Sequence, residues 1–468
     1  MQKNMMISAL TLALALAGCA TTGTQPTAPQ GLQSAFVLLG ENGVPVARAI
    51  TTDAVCPALE VDGRALAMQV RMPAETIAQR KTASKPEDSK PSAFPVLTCD
   101  ATLPVGARSA TLAGRTLPLP EPEIKKIVVI GDTGCRMKTA DNYFQSCNDS
   151  EKWAFREMVE SAAAQKPDLV LHVGDYHYRE NACPDGNKEC GGSPWGYGWD
   201  TWKADFFDPA TALLKAAPWV MVRGNHETCV RAGQGWWRFM DPRAVQGGRD
   251  CNQEQNDTLG DYSDPYAVPL GLPGAMQTQL IIFDSSKVGY KALPAQDPVF
   301  RRYTGQLQHA TALSTRAPWN FFVQHHPLLG FAVERSKSGD LTVFPGIVPL
   351  QDGLKTLHQD KLFPAQVQTT IAGHVHLFQA VTYKTGQAAQ FISGNGGSSL
   401  DVPLTAAAIQ GKTPMPGAEV DFFSNSNEVG YMVLERQSDF WLATAWTRKG
   451  QVLTRCEIRR DTTRCTAS

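Results

Sequence analysis

Five short stretches carry side chains that could hold metal ions: "GDTG" (131–134), "GDYHY" (174–178), "GNHE" (224–227), "QHHP" (324–327) and "GHVH" (373–376). They supply Asp132, Asp175, Tyr178, Asn225, His226, Glu227, His325, His326, His374 and His376. Carboxylates and imidazoles are the donors that iron and borderline divalent metals prefer. Two cations held about 3.5 Å apart need a bridging carboxylate to offset their repulsion, and Asp175 is the natural bridge. Asn225 adds a neutral amide oxygen, which leaves its cation electrophilic. In "GHVH" the histidines alternate by two, so at a strand end each could serve a different metal. One Gly-Asp after an apolar run is often only a turn; five such stretches in order indicate a two-metal hydrolase.

Each stretch follows an apolar run of strand length. "IKKIVVIGD", "PDLVLHVGD", "APWVMVRGNHE", "TQLIIFDSS", "WNFFVQHHP", "VQTTIAGHVH" and "AAQFISGNGG" read as buried strands. Helical segments are predicted within "SEKWAFREMVESAAAQK", Trp199–Lys215 and "FRRYTGQLQHATALSTR", and an antiparallel meander from "VGYMVLERQ" onward. The pattern predicts an α/β sandwich with its site at the carboxyl ends of the strands, where open α/β sheets bind ligands. Residues 31–122 hold short β-like runs broken by Gly, Pro and charge, and predict a small all-β, sandwich-like domain. "LPLPEPE" would link it to a catalytic domain over 123–468.

The 468 residues carry 44 Lys and Arg against 45 Asp and Glu, a net charge of −1. That balance gives no support for a nucleic-acid partner, which needs a basic excess. The opening "MQKNMMISALTLALALAGCATTG" has an apolar run too short to span a bilayer and reads as an export signal over 1–18. "LAGC" resembles a bacterial lipobox, which implies cleavage before Cys19 and a lipid anchor on it; Ala20 in place of Asp resembles an outer-membrane address. Residues 19–30 form a low-complexity tether. Removing Cys19 from 11 cysteines leaves an even number, so disulfides are the expectation in an exported chain. Sequence neighbours suggest Cys56–Cys99, Cys135–Cys147, Cys183–Cys190, Cys229–Cys251 and Cys456–Cys465.

The motif series resembles the calcineurin-like metallophosphoesterases, and within them the purple acid phosphatases. "SGNGG" (393–397) is similar to a Gly-rich turn near the end of that family's catalytic domain. The resemblance implies a four-layer sandwich of mixed sheets flanked by helices, with an N-terminal β domain. It also implies hydrolysis of small phosphate monoesters at a binuclear centre. Carried over by position, it places the first metal on Asp132, Asp175, Tyr178 and His376, and the second on Asp175, Asn225, His325 and His374. His325 is preferred to His326 because the family's ligand stands two before the Pro. The wider family has D-x-H in its first motif; here Gly134 stands where that His would be, and Tyr178 can replace it. A phenolate suits Fe(III), so the expected pair is Fe(III) with Zn, Fe or Mn. His226 is the implied proton donor, with Glu227 orienting or neutralising it. The family's further His after the H-x-P ligand has no counterpart in 327–357. Alternatives are a phosphodiesterase or nucleotide-directed hydrolase on the same scaffold, and a non-catalytic binding protein.

Other residues have plainer readings. His172 lies inside an apolar run and reads as a core histidine; His309 and His358 read as helix-surface residues. His177 could touch substrate. The Trp- and Gly-rich segment 183–202 could form a substrate rim or a disulfide-pinned loop, and Trp236–Trp237 reads as local packing.

Overall fold

A computed structural model of the chain describes residues 31–271, 277–335 and 341–467. The export segment, the tether and Cys19 lie outside these residues. Two sheets pack face to face. In the first, Lys126–Ile130, Leu169–His172 and Trp219–Met221 run parallel, and Gly430–Arg436 flanks them antiparallel. Trp441–Thr447, Val452–Ile458 and Thr463–Ala467 complete the expected meander. In the second, Thr278–Ile282, Trp319–Val323, Val367–Ala372 and Ala389–Ser393 run parallel.

Period-two alternation builds the layers. Ile127, Val129, Leu169 and Leu171 face the second sheet and meet Leu280, Phe321, Val323, Ile371 and Phe391. Val128, Ile130 and Val170 face the other way, onto Phe155, Met158, Val159 and Ala162 of the helix Phe155–Ala163. The outer face of the second sheet is covered by helices Pro298–Ser314 and Val348–His358. The result is helix, sheet, sheet, helix. Sequence periodicity did not reveal Val348–His358, whose Pro349 sits in the first turn, where its missing N–H costs nothing. The helical expectation over Trp199–Lys215 resolves into Trp199–Trp202, a π turn at Lys203–Phe207, and Thr211–Ala216.

The N-terminal region is strand-rich. Its strand Leu32–Leu39 joins the first sheet, with Leu38 opposite Trp219, and Pro45–Thr51, Leu97–Thr102 and Gln69–Met72 extend that sheet to eleven strands. Within this region, Arg48 Nε lies 2.7 Å from Asp100 Oδ1, and Arg71 Nη1 lies 2.9 Å from Asp100 Oδ2. Both guanidinium groups also donate to carbonyls of the 237–243 segment. All five suggested disulfides are formed. Among the described residues no helix is long and apolar enough to cross a membrane.

Candidate metal centre

The carboxyl ends of five parallel strands open onto one cleft, and the chain leaves them by sharp turns. Asp132, Asp175 and His374 all adopt left-handed backbone, with φ of 57°, 58° and 71°. Side-chain-bearing residues avoid this region at a cost of order 1 kcal/mol each, so it persists where surrounding bonds impose it. The Asp132 amide donates to Gly174 O at 3.0 Å, Thr133 N to Asp175 O at 3.0 Å, and His374 N to Asp132 Oδ2 at 2.9 Å. Each bend turns its side chain back over the strand ends.

Asp132, Asp175 and His376 bring ligand atoms within 4.8 Å of one another, and Tyr178 joins them. Its Oη lies 2.7 Å from His376 Nε2, 2.9 Å from Asp175 Oδ2 and 3.1 Å from Asp132 Oδ1. One phenol proton cannot satisfy three acceptors. Burial, then the Asp175 and Asp132 charges, push the Tyr178 hydroxyl well above its ordinary pKa. Burial also raises Asp132. Gly134 is walled in: a Cβ there would lie 2.8 Å from Tyr176 O and 2.9 Å from Tyr178 N. The loop that delivers the phenol thus fills the space a histidine would need.

Beside this cluster, His325 Nε2 lies 3.0 Å from Asn225 Oδ1 and 3.2 Å from Asp175 Oδ2. His374 Nδ1 lies 2.9 Å from Asn225 Oδ1 and 3.3 Å from His325 Nε2. His325 Nδ1 faces the Val173 carbonyl at 2.8 Å, so Nδ1 carries the hydrogen and the Nε2 lone pair converges with two oxygen acceptors. Such a set fits a cation. Without one, a proton does the same work: burial lowers the His325 pKa, but Asp175 more than reverses this and holds it at about 9. Burial alone would raise Asp175, yet the charges of His325 and His226 draw it well below the usual carboxylate range. His326, adjacent to His325, turns Nδ1 to Ser285 Oγ at 3.1 Å while its ring packs 4.2 Å from that of His374. The donor set therefore fits two ions, with Asp175 common to both groups.

The expectation that Glu227 orients His226 meets a different geometry. Glu227 Oε2 accepts from the amides of Asp175 and Gly224, each at 3.0 Å, and Oε1 from Tyr176 at 2.9 Å. It fixes the turn that carries Asp175. A Cβ at Gly224 would come 2.1 Å from Asp175 Oδ1, so only glycine lets these two turns approach. The carboxylate beside His226 is Glu180, with Oε1 2.8 Å from Nδ1. Sequence reading missed Glu180; its one signal was its place two residues after Tyr178 in the same loop.

The calcineurin-like phosphoesterase family matches residues 125–378, more than half of the chain. The chain belongs to this family. A purple acid phosphatase from yellow lupin (Lupinus luteus) seeds, PPD1, has a similar fold, at 14% identity and a TM-score of 0.50 over 92% of this chain and 74% of that one. The structure of PhoD is similar over 94% and 92% of the two chains, at 12% identity and a TM-score of 0.51. No curated protein sequence matches. At these identities the likeness is one of fold.

This calcineurin-like phosphoesterase is a hydrolase, and its centre lies in a cleft of about 500 Å³. Its lining includes the cations Arg136, Lys138 and Arg231 and the apolar residues Ala332, Val333, Phe344 and Ile347. Phe344 belongs to the hairpin Phe331–Arg335 and Leu341–Pro345. The remaining singled-out residues lie away from this cleft. His172 bonds Thr133 Oγ1 at 3.1 Å and stacks on Tyr176. His177 is buried against Tyr197 and Trp202 rather than facing the cleft. Trp199, Trp202, Trp236 and Trp237 pack in the core. His309 is exposed on its helix, and His358 bonds Thr311 Oγ1.

Proposed function

We propose that this phosphoesterase hydrolyses small phosphate monoesters at a binuclear centre of purple-acid-phosphatase type. The observation that carries the reading is Tyr178 Oη, set among Asp132, Asp175 and His376 where Gly134 leaves no room for a histidine. Asp132, Asp175, Tyr178 and His376 would hold Fe(III); Asp175, Asn225, His325 and His374 would hold Zn, Fe or Mn. Bound metal ions supply Lewis acidity there, acidifying water and offsetting charge on phosphate oxygens. His226 faces the centre with Nε2, which lies 4.0 Å from Asp175 Oδ2, while Nδ1 is engaged by Glu180. From that edge it donates a proton to the departing alkoxide. Burial, then Arg231, pull its pKa down to about 4, so its donor form is populated in acid.

The export signal, lipid anchor at Cys19 and outer-membrane location are part of the same proposal. Ten cysteines paired in five disulfides support an oxidising compartment.

Metal analysis combined with hydrolysis of p-nitrophenyl phosphate and bis(p-nitrophenyl) phosphate tests the function. Two metals per chain and preference for the monoester are expected. Turnover of the diester alone would replace the reading with a phosphodiesterase.

A further inference from the structure

The cleft's cations Arg136, Lys138 and Arg231 gather around Glu180 and Asp141, and these carboxylates do not use them up. Lys138 Nζ lies 4.0 Å from both Glu180 Oε2 and Asp141 Oδ2, at the limit of an ion pair. Arg136 Nη2 holds Asp141 at 2.5 Å, and Arg231 Nε lies 3.5 Å from Glu180 Oε1. Three cations thus face two carboxylates. Arg231 Nη1 is buried without a hydrogen-bond partner among the described residues, an uncommon and costly state for a guanidinium nitrogen. Burial is the main influence depressing the Lys138 ammonium, and repulsion from Arg231 and Arg136 adds to it. A bound anion would relieve all three.

The His226 ring stands between Asp175, 4.0 Å from Nε2, and Glu180, 2.8 Å from Nδ1, and Glu180 is the carboxylate that Lys138 and Arg231 face. A phosphoryl group seated on the Glu180 side of that ring would share the cleft with one bound by the metal ligands. We propose that Arg136, Lys138 and Arg231 form a subsite for a second phosphoryl group, so that the substrate class is a bisphosphorylated organic molecule. Arginine suits this task because its planar fork matches phosphate oxygens. The inference rests on the proposed reading that the centre binds a phosphate ester. The second group supplies affinity and register; the bond broken is the ester at the centre.

The test uses the metal-loaded protein and ligands it cannot hydrolyse. Calorimetry compares hexane-1,6-bisphosphonate with hexylphosphonate, and metal content is measured on every sample. The bisphosphonate is expected to bind wild type at least about ten-fold tighter. In Lys138→Gln and Arg136→Gln, each with full metal content, that ratio should fall toward one. Equal affinities in wild type, or a ratio unmoved in both variants, would overturn the subsite. Turnover of p-nitrophenyl phosphate reports separately on the monoesterase reading; its absence would sink that reading, while the affinity ratio still decides this one.

Discussion

Gly134 packs against the backbone of Tyr178 so closely that a Cβ at 134 would lie 2.9 Å from the Tyr178 amide nitrogen. The two residues are therefore linked alternatives. A loop that delivers a phenol to Asp132 and His376 leaves no volume for an imidazole two residues after Asp132. Installing the family's more usual first motif by Gly134→His should not yield a working centre, because the loop must move to admit the ring. Expected outcomes are a loss of at least one metal per chain and a fall of about 10²-fold or more in kcat/KM, the scale of misplaced catalytic groups. A Gly134→His protein with both metals and full activity would refute the packing argument.

Tyr178→Phe removes only the hydroxyl, in a residue whose ring is already buried. If the phenol is a ligand to Fe(III), the variant should lose its visible charge-transfer absorption. Metal content should fall as well, since three protein ligands remain where four stood. Retained colour would place the phenol outside the coordination sphere.

The convergence of Asp132, Asp175, Asn225, His325 and His374 was legible because each follows a strand whose apolar run is visible in sequence. Three features were not. The left-handed backbone of Asp132, Asp175 and His374 leaves no compositional mark, because residues other than glycine occupy it. Glu180 became a partner of His226 only through folding of the 174–180 loop across the site. Glu227, adjacent to His226 in sequence, points its carboxylate into the Asp175 turn. Likewise, the pairing of Leu38 with Trp219 spans most of the intervening chain, and periodicity reports faces rather than neighbours.

His226 offers a pH test with two opposite signs. Burial and Arg231 lower its pKa, whereas Asp175 and Glu180 raise it. Removing the helpful charge in Glu180→Gln should move the alkaline limb of the kcat profile to lower pH and reduce kcat by about ten-fold or more. Removing the opposing charge in Arg231→Gln should move that limb to higher pH. Profiles that shift the same way, or not at all, would show that His226 does not donate the proton.

At the seam between the N-terminal strands and the rest of the first sheet, Asp100 pairs with Arg48 and Arg71 on its own side, and those two arginines reach across to the 237–243 carbonyls. Burial would raise the Asp100 pKa, but the two guanidinium charges more than offset this and hold it below the ordinary carboxylate value. A carboxylate with a depressed folded-state pKa contributes stability above its unfolded pKa of about 3.9, and loses it as pH falls through the folded value. Asp100→Asn keeps the shape but leaves two buried guanidinium groups without their shared counter-charge. It should cost about 3 kcal/mol at neutral pH, read as a lower denaturant midpoint. The difference between wild type and variant should shrink as pH falls below the unfolded value and through the lower folded one, where the wild-type carboxylate takes up its proton. A gap that stays constant across this range would mean that the buried hydrogen bonds of Arg48 and Arg71 to the 237–243 carbonyls, rather than the Asp100 charge, hold the seam.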